Sequence, residues 1–288
     1  MKTKFTRLAA AALALSTVIS SCSKTDDAPP TPIDPVVSVY FPTVITYDGI
    51  PLDSFVYNAD YTVSKFFAGD EESKKFTSTY EFMYDNDKVC RKVKRTETHG
   101  VAVDTLIYQT NKIMRVRLNP NAAKPDTVII SLNANKQVLL VGTKDTLPTA
   151  TPGSRILSYL EFTYNNGNIA TFTNKDASFY QNENGSGSSV FTISANYTYD
   201  DKVNTLKPFF VANPAMYYYF YEGAAVTFSC GNNNITKMEA TIASGGTAMP
   251  LTYNFTATFD ETNGTLKEQK RNDGEGVTTI GYKWVKAN

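Results

Sequence analysis

From about residue 38 onward, apolar and polar residues alternate in short runs, and the runs are broken by Asn, Asp, Gly and Lys. A period of two puts every second side chain on one face of a β-strand, so the pattern predicts strands buried on one side. Tyr80-Glu-Phe-Met-Tyr84 leads through Asp85-Asn-Asp-Lys88 into Val89-Cys-Arg-Lys-Val93, and Leu160–Tyr164, Asn165–Asn168 and Ile169–Phe172 repeat that order. Weaker copies run from Leu106 to Val116, Val128 to Val141, Val226 to Met238 and Phe255 to Leu266. Tyr197–Val203 begins another, which departs into Pro208. Alternation sets Phe82 with Tyr84, and Phe162 with Tyr164, on one face, while the Asn, Asp and Gly residues tolerate the positive φ of hairpin turns. Copies recur roughly 23–35 residues apart and, at two strands each, predict about 14–16 strands. Helical periodicity is scarce after residue 38, and an open sheet of that size curls, closes or splits. The expected fold is therefore all-β, a single antiparallel meander over residues 38–288 forming a curved or closed, barrel-like sheet.

The first residues follow a different pattern. Lys2, Lys4 and Arg7 precede an apolar run from Leu8 to Ile19, the layout of a secretory signal peptide. The run ends Ile19-Ser-Ser-Cys22, which resembles the lipobox of bacterial lipoproteins. That resemblance implies removal of residues 1–21 and a diacylglyceryl group on the Cys22 thiol. The alternative is an ordinary secreted protein cut near Ser21, with Cys22 incidental. Pro29, Pro30, Pro32 and Pro35 then favour an extended spacer, so residues 22–37 read as a tether. Asp26-Asp27 within it resembles the surface-export signal of Bacteroidetes lipoproteins, and also suits a solvated spacer. No later segment reaches the roughly 18 apolar residues that a helical span needs. The expected location is the outer membrane by a lipid anchor, with the cell surface favoured over the periplasmic face.

Tyr84-Asp-Asn-Asp-Lys88, Tyr164-Asn-Asn-Gly-Asn168 and Asn196-Tyr-Thr-Tyr-Asp-Asp-Lys-Val203, placed behind a lipobox, carry a second resemblance. They are similar to Bacteroidetes lipoproteins of unknown function described as having a porin-like fold, over residues 38–288. The resemblance implies a curved or closed antiparallel sheet and supplies no catalytic residues. The final residues, Tyr282 to Asn288, lack the terminal aromatic of an outer-membrane barrel insertion signal, so no pore is expected.

Charge narrows the function classes. The 28 cations and 28 acids balance, but Lys2, Lys4 and Arg7 leave with the signal, so 25 cations then face 28 acids, a net of −3. A nucleic-acid binder normally carries a basic excess, so that class is not expected. The single histidine, His99, lies in Arg95-Thr-Glu-Thr-His-Gly100 and reads as loop surface rather than as part of a triad or metal site. No phosphate-binding glycine loop and no Cys-x-x-Cys pair is present. Asp85–Asp87 and Gly231–Asn234 read as turns rather than calcium loops. No catalytic residue, metal or cofactor is expected. Cys90 shares its predicted strand face with Lys88 and Lys92, and Cys230 continues the face of Val226 and Phe228, which favours two unpaired thiols over a disulfide. The basic run Lys88, Arg91, Lys92, Lys94 and Arg95 reads as a solvated or edge-protecting face, with anionic glycan or lipid headgroups as its functional alternative.

Two sets of candidate sites remain. On a strand, Tyr217, Tyr219 and Tyr221 would face one way and Tyr218 and Phe220 the other, offering a sugar-stacking platform, a strand packed on both sides or an interfacial belt. Asp104-Thr105-Leu106, Asp126-Thr127-Val128 and Asp145-Thr146-Leu147 resemble the O-glycosylation motif of Bacteroidetes envelope proteins, with Thr105, Thr127 and Thr146 as acceptors. The leading expectation is a non-catalytic envelope module that binds a partner or supports an assembly. The alternatives are a glycan-binding lipoprotein for polysaccharide capture and a glycan- or lipid-active hydrolase. The expected partners are the membrane through the lipid anchor, and a glycan or an outer-membrane protein.

Overall fold

The first and last strands of the chain are hydrogen-bonded partners, and that pairing closes the sheet. In the computed structural model, which describes residues 38–118, 125–149, 151–182, 185–220 and 231–287, β1 (Tyr40–Tyr47) pairs antiparallel with β16 (Val277–Lys286). Between them the strands run as a plain meander, each beside its neighbours in sequence. They are β2 (Ile50–Tyr57), β3 (Val63–Asp70), β4 (Lys75–Tyr84), β5 (Cys90–Glu97), β6 (Gly100–Gln109), β7 (Lys112–Arg117) and β8 (Asp126–Leu132). The second half adds β9 (Val138–Pro148), β10 (Ser154–Asn165), β11 (Asn168–Asn182) and β12 (Gly185–Val203). It ends with β13 (Asn233–Ser244), β14 (Thr247–Phe259), β15 (Leu266–Asn272) and β16. The closed barrel of sixteen antiparallel strands matches the expected meander. Turns after odd-numbered strands form one rim, the upper; those after even-numbered strands form the lower. The lower rim also holds the start of β1 and the end of β16.

The repeated tyrosine in front of several lower turns has a structural reason. Tyr84 donates its hydroxyl to the Val63 carbonyl (2.7 Å), Tyr164 to Val138 (2.9 Å) and Tyr199 to Ile169 (2.8 Å). In each case the end of an even strand is tied to the start of the strand before it. Trp284 does the same with its indole N–H, donating to Leu266 (2.6 Å). The turns follow the chemistry expected of them. Asp85 accepts from the backbone N–H groups of Asp87 and Val89, and Lys88 takes φ 59°. Asn166-Gly167 turns with both φ positive, at 51° and 78°, a conformation that Asn and Gly tolerate.

One short insertion interrupts the meander, between β12 and β13. It holds α1 (Lys207–Ala212) and α2 (Met216–Tyr219), with Pro208 in the first turn of α1. Phe209, Phe210, Met216, Tyr219 and Phe220 are buried against wall residues including Phe55, Phe66, Tyr80 and Phe82. Phe55 meets Phe209 edge-on at 5.0 Å, and Phe82 meets Tyr219 at 5.7 Å. The buried Asn213 fixes the link between the helices: its Oδ1 accepts from Val63 N–H (2.7 Å) and its Nδ2 donates to the Phe209 carbonyl (3.0 Å). The segment therefore plugs the lumen beside β2–β6. A smaller core, with Phe172, Ile235, Met238 and Phe255, lines the side of β11–β14.

The strand expected over 217–221 is thus corrected, within the described residues, to a helical turn at Met216–Tyr219 inside the lumen. Buried contacts of Met216, Tyr219 and Phe220 with the wall, together with the Tyr219 hydrogen bond to Asp104, override strand propensity. A second correction concerns Cys90. Its strand has an extra residue at Arg91, since Met83 pairs with Lys92 and Tyr84 with Cys90. That bulge turns Cys90 inward, away from the exposed Lys92, and leaves it a buried free thiol.

The outer wall is largely polar. Lys65, Glu81 and Lys94 pair across β3–β5 at 3.0 and 3.1 Å, and Lys144–Glu161, Lys237–Glu239 and Glu268–Lys270 add further pairs. Ser194, Asn196 and Thr198 on β12, and Thr252, Asn254 and Thr256 on β14, are exposed. Outward apolar side chains lie side by side on β6–β8, where Ile107 is opposite Met114 and Met114 opposite Ile129, and others are exposed on further strands, among them Val56, Met83, Leu139 and Met249.

If α1 is part of the native core, Phe209→Ala, at a side chain 1% exposed, is expected to cost about 3–5 kcal/mol. Urea unfolding measures this, and a change under about 1 kcal/mol would mean the helix is not packed in the barrel.

Candidate functional site

Charged residues enter the lumen wherever the strand alternation puts them on the apolar face. Asp53 shares parity with Phe55, Arg95 with Val93, Asp104 with Leu106, and Arg115 with Ile113. Register decides how they meet. A shift between Ile45 and Thr46 places Leu52 and Asp53 both in the buried layer, at 4% and 8% exposure. The upper ends of β1–β5 then enclose a cavity of about 410 Å³, lined by Tyr47, Asp53, Ser78, Tyr80, Arg95 and Glu97. Asp70 and Glu71, both exposed, stand at its mouth, and Tyr219 and Phe220 of the plug form part of its wall.

The two sides of the cavity differ electrostatically. Arg95 pairs with Glu97 at 2.6 Å, and Glu97 also accepts from Ser78 Oγ at 3.2 Å. The Arg95 guanidinium lies over the Tyr80 ring, 5.4 Å from its centroid. Opposite charge therefore faces that cation directly. Asp53 has only a long hydrogen bond from Tyr47 Oη, at 3.4 Å. Burial pushes the Asp53 carboxyl up to about 7; the bond from Tyr47 opposes the rise and the charge of Glu71 adds to it. Burial and the neighbouring Asp53 likewise raise the Tyr47 hydroxyl well above its ordinary value.

A second polar cluster underlies the plug. Asp104, 1% exposed, accepts two hydrogen bonds from Arg117, at 2.7 and 3.0 Å, and one from Tyr219 Oη at 2.9 Å. Arg115 stands 3.5 Å from Asp104 and donates to Asp126 at 2.8 Å. Removing the acid from such a buried set leaves uncompensated cations, typically about 3–5 kcal/mol of destabilisation. Its geometry suits fastening α2 to the wall. Burial also pushes the Cys90 thiol up to about 12, so it is a poor nucleophile.

The sequence candidates are scattered rather than brought together. Tyr219 is buried in the ion-pair cluster, 3% exposed, and does not stand on an open face. The side chain of Tyr217, and Tyr221, Cys22 and Cys230, lie outside the described residues. Thr105 and Thr127 are exposed on the outer wall, each opposite Val116, while Thr146 is on β9. His99 is exposed in the turn between β5 and β6. Among the described residues no group of three His, Cys, Asp or Glu could hold a metal ion. Asp53 is the residue the candidate search missed. Its signal was an acid in phase with Phe55, which counts only once Ile50–Tyr57 is read as a strand.

No family model and no curated protein matches the chain. Among solved structures, it is similar to a porin-like protein from Bacteroides vulgatus at 10% identity, covering 84% of this chain and 98% of that one, with a TM-score of 0.34. It is also similar to a porin-like protein from Bacteroides uniformis at 11% identity, covering 88% and 98%, with a TM-score of 0.34.

Asp53 sets a stability window. Its carboxyl titrates near 7 in the folded chain and near 3.9, the reference value, when unfolded. Between those values the native state holds a proton that the unfolded chain has released, so stability falls as pH rises through the window. Asp53→Asn is expected to raise the urea midpoint at pH 8 and change it little near pH 4. An equal shift at both values would show that Asp53 is ionised throughout.

Proposed function

We propose that this chain is a lipoprotein anchored to the outer membrane through Cys22, displayed at the cell surface, and working as a non-catalytic binding or structural module. The observation that carries this reading is the distribution of charge on a closed barrel. Lys–Glu pairs and hydroxyl side chains on the outer wall belong in water, because a charge on a lipid-facing strand costs up to about 2–4 kcal/mol near the bilayer midplane. The plug of α1 and α2 occupies the lumen with aromatic side chains, which does not suit a conducting pore. A barrel of this kind needs a separate means of staying at a membrane. Acyl chains on Cys22 supply one, each buried methylene contributing about 0.8 kcal/mol.

The arrangement of the rims adds a direction. Residue 38 enters at the lower rim, and the cavity opens at the upper one. The cavity is the ligand-facing end of this reading. Its walls offer acids, an arginine and tyrosines, without an activated nucleophile.

Cys22→Ala is expected to move the protein from the membrane fraction to the soluble fraction, as judged by immunoblotting after cell lysis. Protease added to intact cells should remove the anchored protein while a periplasmic marker survives. Retention of the Cys22→Ala chain through alkaline extraction would instead point to an inserted barrel, and protease protection would move the protein to the periplasmic face.

A further inference from the structure

We propose that the upper-rim cavity binds a small organic cation, an amine or guanidine whose charged end rests against Asp53. The inference rests on reading the barrel as a binding module, and names the class of ligand. Among the described residues, four acids, Asp53, Asp70, Glu71 and Glu97, line the cavity against one cation, Arg95. Glu97 already neutralises Arg95 at 2.6 Å, so an entering anion would find no free positive charge and several negative ones.

Asp53 supplies the second, independent observation. It is more than nine-tenths buried, faces the cavity, and receives only the long Tyr47 bond of 3.4 Å. A buried carboxylate without a cation or short hydrogen bonds is costly, and proteins normally pair it. The Asp104 cluster shows the ordinary solution in the same lumen: two arginines and a tyrosine surround one acid. At Asp53 the corresponding place is cavity. An ammonium or guanidinium group from outside would complete it with the charge-assisted hydrogen bonds that the wall does not provide.

The remaining walls fit the body of such a ligand. Tyr47, Phe66 and Phe220 present apolar surface beside the carboxylate, suited to an alkyl or aryl group. The volume of about 410 Å³ falls in the size class of small-molecule sites. Asp70 and Glu71 at the mouth attract the cation during entry.

Isothermal titration of the full chain in detergent, with tyramine and 1,4-diaminobutane as probes, tests the proposal against uncharged 4-ethylphenol and glucose. Saturable binding is expected for at least one amine and for neither neutral compound. Asp53→Asn should weaken amine binding by about tenfold or more, the loss expected for an ion pair removed from a site sheltered from water. Glu97→Gln, at the exposed rim, should weaken it as well by freeing the Arg95 charge, and it carries the test if the Asp53 variant does not fold. Silence from both amines, equal binding of 4-ethylphenol or glucose, or unchanged affinity in both variants would overturn the proposal. None of these outcomes alters the membrane fractionation of Cys22→Ala, so failure of the site and failure of the anchor are distinguishable.

Discussion

A ring of sixteen strands encloses more space than the side chains of its own wall can fill. Eight strands leave an interior just wide enough for side chains, while sixteen or more ordinarily leave a channel. This barrel resolves the excess with the segment between β12 and β13, whose α1 and α2 carry Phe209, Phe210, Met216, Tyr219 and Phe220 into the lumen. The wall answers with its own aromatics, Phe55, Phe66, Tyr80 and Phe82. Much else follows from that filling. It lets the strands bury an apolar inner face against the inserted segment.

Filling by an inserted segment is also what creates the cavity. The described part of the plug lies against β2–β6, and its Tyr219 and Phe220 form part of the cavity wall at the upper rim. Two acids of the lumen then meet opposite fates. Asp104 is reached by Arg117, Arg115 and Tyr219 and forms part of the fastening of the plug. Asp53 lies in the cavity, beyond the reach of a comparable cation, and burial holds its proton up to about neutral pH. A site that leaves an acid underpaired gives up stability for the capacity to pair it with something else, a common feature of functional sites.

The outer wall and the anchor belong to one argument. Ion pairs such as Lys65–Glu81–Lys94 are individually weak at an exposed surface, so their importance lies in where they permit the barrel to stand. In the function proposed above, a polar wall leaves attachment to the acyl chains on Cys22. Ile107, Met114 and Ile129 form an apolar patch across adjacent strands, and single exposed apolar side chains such as Val56, Met83 and Met249 stand elsewhere on the wall.

The period-two alternation, the Asp/Asn-rich turns and their recurrence were legible from residues alone, because strand faces and hairpin turns depend on near neighbours in sequence. They predicted the antiparallel meander and set Tyr84 and Tyr164 beside its turns; that their hydroxyls tie the lower rim to Val63 and Val138 emerged from the fold. The apolar run before Cys22 was legible for the same local reason. The chain did not announce that Tyr40–Tyr47 would pair with Val277–Lys286, since either strand edge is chemically able to accept other partners. Nor did Met216–Tyr219 reveal a helical turn, because aromatics on alternate positions read as a strand until a lumen surrounds them on all sides. The bulge at Arg91 moved Cys90 into the interior by breaking the alternation that sequence reading relies on, whereas Asp53 follows the alternation of Phe55 and became visible only once Ile50–Tyr57 was a strand of the ring. Local propensity and patterning therefore determined the elements, the turns and the wall's two faces. Ring closure and its filling decided which charged side chains would be paired, and which one would face an open cavity, because those contacts join residues far apart in the chain.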